Sequence, residues 1–378
     1  MAQAAYIHIP FCHHICHYCD FNKVLMDRQP VGDYLRSLEK EFSMRVASNP
    51  SGGIETIFVG GGTPTALNEE QLQFLVDAIG RHLYSNSVKE YTFEANPGDL
   101  SRGKLEILKA GGVNRLSFGV QSFNDELLQS IGRSHRAADV YKAIEEAKMT
   151  GFHNISIDLI YSLPGQTAAD FQVSLKQALS LDLPHYSGYS LIIEPKTVFY
   201  NLVNRGKLTL PAEETEAEMY EILMDEMERH GREQYEISNF AVPGYESIHN
   251  LTYWNNEEYY GFGAGAHGYV NGRRVSNYGP LKKYMEPIQE GVFPLIHLHE
   301  VTLVEMMEEE MFLGLRKTEG VSLRHFHEKF GKDASVLFRS AISSLTARGL
   351  LECKEERIRL TKKGKFLGNE VFQSFLSV

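Results

Sequence analysis

The chain has 378 residues, of which 43% are hydrophobic and 23% charged, a composition typical of globular proteins and unlike that of disordered or fibrous ones. The chain has 38 Lys and Arg residues and 49 Asp and Glu residues, which gives a net charge of −11. This charge argues against nucleic acid or an anionic membrane as the main partner. No apolar run approaches the roughly 18 residues of a membrane span, so we expect peripheral membrane contact at most. The N-terminus resembles no signal peptide, which predicts a cytoplasmic protein.

The first half of the chain alternates short β-branched runs with longer helical patterns. The predicted strands are Ala5–His8, Thr56–Val59, Glu90–Glu94, Arg115–Gly119, Asn154–Leu159 and Tyr186–Leu191, and helical patterns between them include Val31–Val46, Asn68–His82 and Arg136–Met149. Such alternation indicates βαβ units and a parallel sheet. We expect an α/β fold, either a partial six-unit (β/α) barrel of the TIM type or an open doubly wound sheet.

Small and polar residues follow the predicted strands. They read GGGTPT after the second strand, EANPG after the third, GVQSF at the fourth and DLIYSLPGQ at the fifth. Because the carboxyl ends of parallel strands form the active face of such folds, this edge is the candidate site. The alternative is that these Gly and Pro residues only end strands.

The second half of the chain has a different organisation. After Pro195 we predict a helix over Ala212–His230, a strand-like run over Tyr235–Ala241 and an aromatic, glycine-rich stretch over His249–Tyr269. Helical patterns return from Glu300, with a helix over Ser335–Arg348 followed by short runs at Gly349–Cys353 and Arg357–Thr361. This outline predicts an α+β region over residues 196–299 and a winged-helix-like domain over 300–378, after a core over 1–195. The acidic charge favours packing or partner docking over DNA binding for the last domain.

Three of the four cysteines lie within eight residues. Cys12, Cys16 and Cys19 form a CxxxCxxC pattern, and Cys353 stands alone, which is unlike a disulfide framework. Three clustered thiolates indicate a metal centre. An iron–sulfur cube with one open iron fits three ligands. A zinc site that recruits His8, His13, His14 or His17 as the fourth ligand is the alternative.

The segment CHHICHYC resembles the signature of the radical S-adenosylmethionine (SAM) superfamily. YIHIPFC, FVGGGTPT, EANPG, GVQSF and SLPGQT resemble its coproporphyrinogen III oxidase-like branch, in the expected order. Within that branch the sequence is similar to the haem chaperones of the HemW type. The oxidases carry a further cysteine where this chain has Phe21, and the HNxxYW motif of the chaperones is present as His249, Asn250, Tyr253 and Trp254, the only Trp.

The resemblance implies that the fold is a partial (β/α)6 radical SAM barrel. It also implies a [4Fe–4S] cluster held by Cys12, Cys16 and Cys19, with SAM bound to its fourth iron. Further SAM-contacting residues are implied by motif position: Gly61, Gly62 and Thr63 at the methionine moiety, Arg133 at the SAM carboxylate, Glu94 and Asp158 at ribose hydroxyls or the amine, Gln121 at another SAM contact, and Tyr6 and Tyr18 near the adenine and the cluster. The alternatives from the residues alone are a simple turn for the glycines, a solvated Arg133 and core positions for the tyrosines.

His249 is the implied haem ligand, with Tyr253 and Trp254 against the macrocycle. His267 in the GAGAHG segment is a second candidate, and a hydrogen-bonded structural His249 is the alternative. The predicted function is therefore a haem chaperone that binds haem, a [4Fe–4S] cluster and SAM and delivers haem to haemoproteins.

Three other functions compete with that prediction. The main one is oxygen-independent coproporphyrinogen III oxidase, an enzyme that forms protoporphyrinogen IX. A radical SAM enzyme with another substrate and a zinc-stabilised structural protein complete the alternatives. The resemblance to the radical SAM superfamily is compatible with SAM cleavage and does not by itself imply it.

Overall fold

The computed structural model describes residues 1–376. Its strands are β1 (Ala4–Ile9), β2 (Phe11–Cys12), β3 (Val24–Leu25), β4 (Thr56–Gly61), β5 (Glu90–Ala95), β6 (Arg115–Gln121), β7 (Asn154–Tyr161), β8 (His185–Ser190), β9 (Glu233–Glu236), β10 (Asn239–Ala241), β11 (Tyr259–Phe262), β12 (His267–Val270), β13 (Arg273–Asn277), β14 (Leu295–Glu300), β15 (Val321–Ser322), β16 (Leu351–Lys354) and β17 (Arg357–Leu360). Its helices are α1 (Val31–Ser48), α2 (Glu69–His82), α3 (Arg102–Ala110), α4 (Asp125–Ser130), α5 (Ala137–Met149), α6 (Ala168–Ser180), α7 (Val198–Asn204), α8 (Glu213–Arg229), α9 (Ile248–Trp254), α10 (Leu281–Gln289), α11 (Leu303–Gly314), α12 (Leu323–Phe330), α13 (Ala334–Leu337), α14 (Arg339–Ala347), α15 (Lys362–Phe366) and α16 (Gly368–Gln373). In this described part of the chain, no helix combines the length and the apolar character that crossing a bilayer requires.

One large open sheet organises the fold. Within residues 1–376 it has twelve strands in the order β14-β13-β12-β11-β1-β4-β5-β6-β7-β8-β10-β9. The six predicted strands are its adjacent parallel members, β1 and β4–β8, which confirms the βαβ prediction. The end strands β14 and β9 do not pair with each other, so the barrel is partial.

The two faces of the sheet have different chemistry because successive side chains of a strand alternate between faces. Ile7, Ile57 and Val59 are fully buried in the main hydrophobic core, on the face covered by the helices. The opposite face, called here the inner face, carries Tyr6 and Phe58, whose rings stack with centroids 6.2 Å apart. Polar side chains of β5–β8 also lie on the inner face, and they reach the site described below.

Capping residues define where the strand-end loops become helices. The Asn68 side chain accepts a hydrogen bond from Gln71 N, and the Gln71 side chain accepts one from Asn68 N, at the start of α2. Thr167 and Asp170 form the same reciprocal pair at α6. Such capping boxes satisfy the free amides of a helix start. They fix the ends of the GGGTPT and SLPGQ loops.

The C-terminal part has its own core. In it, β15, β17 and β16 form a small antiparallel sheet beside α12–α14, which agrees with the winged-helix-like outline. Buried side chains from these elements and from α11 and α16 form a hydrophobic cluster separate from the main core, including Met311, Phe326, Leu345, Ile358 and Val371. The helix predicted over Ser335–Arg348 is two helices, because Phe338 leaves helical geometry (φ −103°, ψ 23°) where its ring packs on Phe326 and Phe375.

The region over residues 196–299 differs from its prediction in two respects. The strand-like run Tyr235–Ala241 is a pair of antiparallel strands, β9 and β10. β11 pairs in parallel with β1 and adds a seventh parallel strand that the sequence did not indicate. The region supplies strands to both ends of the large sheet and side chains such as Leu223 and Tyr284 to the main core. Its boundaries at residues 195 and 299 stay a prediction.

Candidate active site

A cavity of about 410 Å³ lies at the carboxyl ends of the parallel strands. Its walls come from the loop after β1, called here the cysteine loop (residues 12–22), and from the ends of β4–β8. The site thus lies at the edge that the strand-end motifs predict. Among the residues implied by the motifs, Tyr18, Gly61, Gly62, Thr63, Glu94, Gln121, Arg133 and Asp158 line this cavity, and Tyr6 and His249 do not.

Cys12, Cys16 and Cys19 all line the cavity. Cys12 is buried at the end of β2, where the hydroxyl of Thr63 donates to its Sγ at 3.6 Å. Cys16 and Cys19 are half-buried in the loop that follows, and Arg133 Nη1 donates to Cys16 Sγ at 3.5 Å. Cys353 is exposed on β16 and does not line the cavity.

The donor set fits an iron–sulfur cube. Burial raises the pKa of Cys12 to about 11, because a buried thiolate without a cation is costly, and the neighbouring thiolates oppose ionisation too. Iron bound by the three thiolates would supply that positive charge. No three His, Cys, Asp or Glu side chains of residues 1–376 are placed to hold one single metal ion. A cube does not require such convergence, since each of its cysteines binds a different iron.

The glycine loop after β4 lies directly against the cysteine loop. Gly62 N donates to Ile9 O and Thr63 N donates to Phe11 O, both at 2.8 Å. A Cβ on Gly62 would fall 2.8 Å from Ile9 O, so only glycine permits this approach. Gly61 has a φ of +111°, which also favours glycine. The loop therefore sets the position of Cys12 as well as one cavity wall.

Glu94 and Asp158 are carboxylates on the inner face at the ends of β5 and β7. Glu94 Oε2 accepts from Gly61 N at 3.0 Å. Burial, and after it the charge of Asp158, raises the pKa of Glu94 to about 7, against the lowering effect of Gly61 N and Arg115. Burial also raises the pKa of Asp158, against hydrogen bonds from Ser187 and Ser117. Two carboxyl groups that share one polar cavity are suited to accept hydrogen bonds from the hydroxyl or amino groups of a ligand.

Arg133 and Gln121 lie on the next strand end and the loop beyond it. Arg133 Nη2 donates to Asn96 Oδ1 at 2.7 Å and to Gly119 O, while Nη1 faces Cys16. Gln121 ends β6 at a register shift, with a φ of +67° that is costly for a residue with a side chain. This strained backbone turns the end of β6 toward the cavity, where both side chains are available to a ligand.

Tyr18 and Tyr6 occupy different places in the structure, and only Tyr18 lines the cavity. Tyr18 lines the cavity beside Arg133, and burial raises the pKa of its phenol. Tyr6 lies on the inner face of β1, and its hydroxyl forms a hydrogen bond with His8 Nδ1 at 2.9 Å. Tyr6 does not line the cavity, so its predicted contact with the adenine stays a prediction that this position does not support.

His249 is buried deep on the inner face, away from the cavity. Its Nδ1 bonds with the Thr56 hydroxyl at 2.9 Å and its Nε2 with the Tyr253 hydroxyl at 2.7 Å. Its ring stacks on Phe58 with centroids 5.2 Å apart, and burial lowers its pKa to about 3. Ligation of haem iron by His249 stays a prediction, and it requires the ring to leave one of these hydrogen bonds.

Glu90 fixes the HNxxYW helix α9 to the sheet. Its Oε2 accepts from Ile248 N at 2.8 Å, and its Oε1 accepts from His249 N and the Ser247 hydroxyl, both at 3.2 Å. Ser247 caps the same helix through Asn250 N. The environment of His249 is thus a hydrogen-bonded structural one, which is the alternative given for it above.

The sequence motifs missed several residues of the site. Asn96, Ser117, Tyr189 and Ile192 line the cavity, and Asn96 accepts from Arg133. Asn96 was recognisable as part of EANPG, whereas Ile192 carries no signal beyond its place after a strand. Arg115 is buried on the inner face, and its charge lowers the pKa of Glu94. The only sequence feature that could have indicated a role for Arg115 is a cation inside an apolar strand.

Comparisons with known proteins show the family to which the chain belongs. Residues 6–178 match the family model of the radical SAM superfamily, and residues 301–367 match that of the HemN C-terminal domain. The fold is similar to that of the coproporphyrinogen III oxidase HemN from Escherichia coli, with a TM-score of 0.87, 24% identity, and coverage of 99% of this chain and 90% of that one. At that identity the similarity shows the fold alone.

Sequence relatives specify the family more narrowly. The chain is 57% identical over 375 residues to a protein of Bacillus subtilis (strain 168) named Heme chaperone HemW, covering 99% of both chains. It is 38% identical to the Heme chaperone HemW of Escherichia coli (strain K12), covering 98% of this chain and 97% of the relative. The chain therefore belongs to the radical SAM superfamily and, within it, to the HemW family.

Proposed function

We propose that this protein is a haem chaperone that binds haem, a [4Fe–4S] cluster and SAM and delivers haem to haemoproteins. The observation that carries the proposal is the 57% identity, over 99% of both chains, with a protein named Heme chaperone HemW. The three cavity cysteines support it, because they provide the ligand set that the superfamily uses. All four cysteines are free thiols, which suits the reducing cytoplasm, the compartment we propose.

In this proposal Cys12, Cys16 and Cys19 hold the cluster. When bound, the cluster and SAM supply an electron donor beside a sulfonium. The groups that would contact SAM are the cavity side chains and backbone of Gly61, Gly62, Thr63, Glu94, Gln121, Arg133 and Asp158. Arg133 provides a guanidinium suited to a carboxylate, and the two buried carboxyl groups provide acceptors.

Other parts of the proposal concern haem and the organisation of the chain. The haem iron needs an axial ligand, for which His249 and His267 are the candidates from the motifs. We also propose the division into a core over residues 1–195, an α+β region over 196–299 and a C-terminal domain over 300–378. The separate hydrophobic cluster of the last part supports the second boundary.

The test begins with the protein reconstituted anaerobically with iron and sulfide. We expect four of each per chain in the wild type and in Cys353→Ala, and loss of both in Cys12→Ala. We then expect a Soret band on titration with ferric haem. Holo-protein formation by a b-type apocytochrome should be faster from this haem-loaded protein than from serum albumin loaded with the same haem.

A second assay separates the chaperone from the oxidase. The cluster-loaded protein is given SAM, a reductant and coproporphyrinogen III, and protoporphyrinogen IX is measured. We expect none, since Phe21 lies in the cavity wall where the oxidases carry a further cysteine. Turnover would establish the oxidase instead, and the absence of both turnover and haem binding would reject both functions.

A further inference from the structure

His17 lies between the second and third cysteines of the cysteine loop and is bonded to the two helices beside that loop. Its backbone N donates to Ile131 O at 3.0 Å, and its ring Nδ1 donates to Ser130 O at 2.9 Å. Its own carbonyl accepts from Phe199 N at 3.0 Å. Three hydrogen bonds from this one residue therefore hold the middle of the loop in place.

These hydrogen bonds are made at the ends of two helices. α4 ends at Ser130, and α7 begins at Val198. The last carbonyls and the first amides of a helix have no partner within the helix itself. His17 supplies two donors to the end of α4 and one acceptor to the start of α7. The cysteine loop is thus part of the capping of both helices.

The ring of His17 is also packed closely. A Cβ on Gly132 would fall 3.1 Å from two atoms of this ring, and Gly132 has a φ of +79°. The Phe199 ring lies 5.9 Å from the His17 ring, and Phe199 is buried in a small hydrophobic cluster with Leu128 and Ile131. The imidazole is therefore fixed against both α7 and the turn that follows α4.

The turn after α4 carries Arg133. The backbone N of Arg133 donates to Leu128 O at 2.9 Å, which holds this residue to the end of α4. Its Nη1 donates to Cys16 Sγ at 3.5 Å. Cys16 directly precedes His17, and Arg133 lies two residues after Ile131. The distance between the cysteine thiol and the guanidinium therefore depends on the bonds that His17 makes.

A ring nitrogen that caps a helix is not by itself a sign of function. His230 makes the same kind of bond at the end of α8, where its ring Nδ1 donates to Glu226 O at 2.8 Å. His230 does not line the cavity. What distinguishes His17 is its place between two cysteines that line the cavity.

We propose that His17 is a positioning residue for SAM binding, which fixes the cluster-bearing cysteine loop at the correct distance from the Arg133 guanidinium. This proposal rests on the proposed function, because it assumes that the cavity binds a cluster and SAM. His17 acts through Cys16 and Arg133 and contacts neither bound group itself.

The test is isothermal titration of SAM into the anaerobic, cluster-loaded protein, with electron paramagnetic resonance of the reduced cluster at increasing SAM concentrations. We expect His17→Ala to keep the full iron content and to raise the Kd for SAM by roughly three- to tenfold, the factor that corresponds to one lost hydrogen bond. The spectral change that SAM causes in the wild type should require a correspondingly higher SAM concentration in this variant.

Two further variants and a control separate positioning from a general loss of stability. Asn Nδ2 lies as many bonds from Cα as His Nδ1, so His17→Asn can donate to Ser130 O and should restore the wild-type Kd. Gln carries its amide nitrogen one bond further out, so His17→Gln should not restore it. His230→Ala is the matched control, because it removes the same kind of helix cap and should keep the wild-type Kd and spectrum.

The outcomes distinguish this proposal from the proposed function. Wild-type SAM affinity in His17→Ala would overturn the positioning role and leave the chaperone function standing, as would equal affinities in the Asn and Gln variants. Loss of the cluster from both His17→Ala and His17→Asn would overturn it too, because His17 would then serve to retain the cluster. A wild-type protein that binds neither cluster nor SAM would reject that part of the proposed function itself.

Discussion

Arg133 connects the cysteine loop to the ends of β5 and β6. Its guanidinium contacts Cys16 Sγ through Nη1, and Asn96 Oδ1 and Gly119 O through Nη2. These contacts hold the side chain in one place at the cavity wall before any ligand binds. A group held in this way loses little entropy on binding a carboxylate, which is the reason to place the SAM carboxylate there.

We predict that Arg133→Gln weakens SAM binding by roughly tenfold or more, since charge-assisted hydrogen bonds are each worth about 1.5–3 kcal/mol. Isothermal titration of SAM into the anaerobic, cluster-loaded protein measures the effect. Arg102→Gln on the exposed side of α3 is the control and should bind SAM normally. Equal SAM affinity in the Arg133 variant, with full iron content, would remove Arg133 from the SAM site.

Glu94 gives the second prediction at the residue scale, a dependence of stability on pH. Its pKa is about 7 in the folded chain against 4.5 for an ordinary Glu, so the folded state binds more protons between these values. Stability from this group is therefore complete below about pH 4.5 and is lost as pH rises through 7. In SAM-free, cluster-loaded protein the urea midpoint should fall from pH 6 to pH 8.

Glu94→Gln should flatten that dependence, because the amide does not titrate. Glu106→Gln on exposed α3 serves as the control and should keep the wild-type slope. If the Glu94 variant also keeps the wild-type slope, another group is responsible for the titration.

Individual residues were predictable from sequence only where a motif marked them. The CxxxCxxC cysteines and the residues that the strand-end motifs marked, such as Glu94 and Asp158, were predicted, and they line the cavity, whereas Ser117 and Tyr189 line it without having been predicted. Tyr6 and His249 were assigned to ligands, yet both belong to a buried row of rings on the inner face. Which face a strand residue occupies depends on the neighbouring strands, and a single sequence does not specify those.

At the scale of elements, α9 depends on a carboxylate from another part of the chain. Glu90 at the start of β5 accepts from two amides and one hydroxyl at the start of this helix. If the Glu90 carboxylate no longer accepts these hydrogen bonds, the buried donors lose their partners. This loss lowers the free energy of unfolding by about 1–3 kcal/mol.

Glu90→Gln should therefore reduce the free energy of unfolding by about 1–3 kcal/mol. It should also speed hydrogen exchange of the α9 amides more than of amides in β4–β7. Urea denaturation and exchange mass spectrometry measure the two effects. Uniform exchange throughout the chain, or unchanged stability, would contradict the capping role.

Among the elements, the six βαβ strands were predictable because their β-branched runs alternate with amphipathic helices. β11 was not, since its segment YYGF is short and rich in glycine and aromatic residues. Its partner β1 lies some 250 residues earlier in the chain, and nothing local indicates that pairing. The break between α13 and α14 had a tertiary cause too, the packing of Phe338.

At the scale of the whole molecule, the C-terminal part has a hydrophobic cluster of its own. Hydrogen bonds and ring contacts join it to the rest of the chain, among them Thr318 N to Tyr235 O of β9 at 2.9 Å and Arg316 over the Trp254 ring of α9 at 4.4 Å. We predict that a fragment of residues 300–378 folds alone with a cooperative thermal transition.

Leu345→Ala in this fragment should lower its stability by about 2–5 kcal/mol, since Leu345 is buried in the cluster. Val336→Ala is the control, because Val336 is 57% exposed. Circular dichroism on heating measures both variants. A fragment without a cooperative transition would mean that the C-terminal part requires the sheet.

The Glu90 cap of α9 has a consequence for the order of folding. The cap joins groups 158 residues apart in sequence, and α9 has only seven residues, whereas isolated helices shorter than about 12–15 residues are marginal in water. Contacts between distant parts of a chain form slowly. The HNxxYW segment should thus become helical late, after β5 has joined the sheet, during synthesis on the ribosome as well as on refolding.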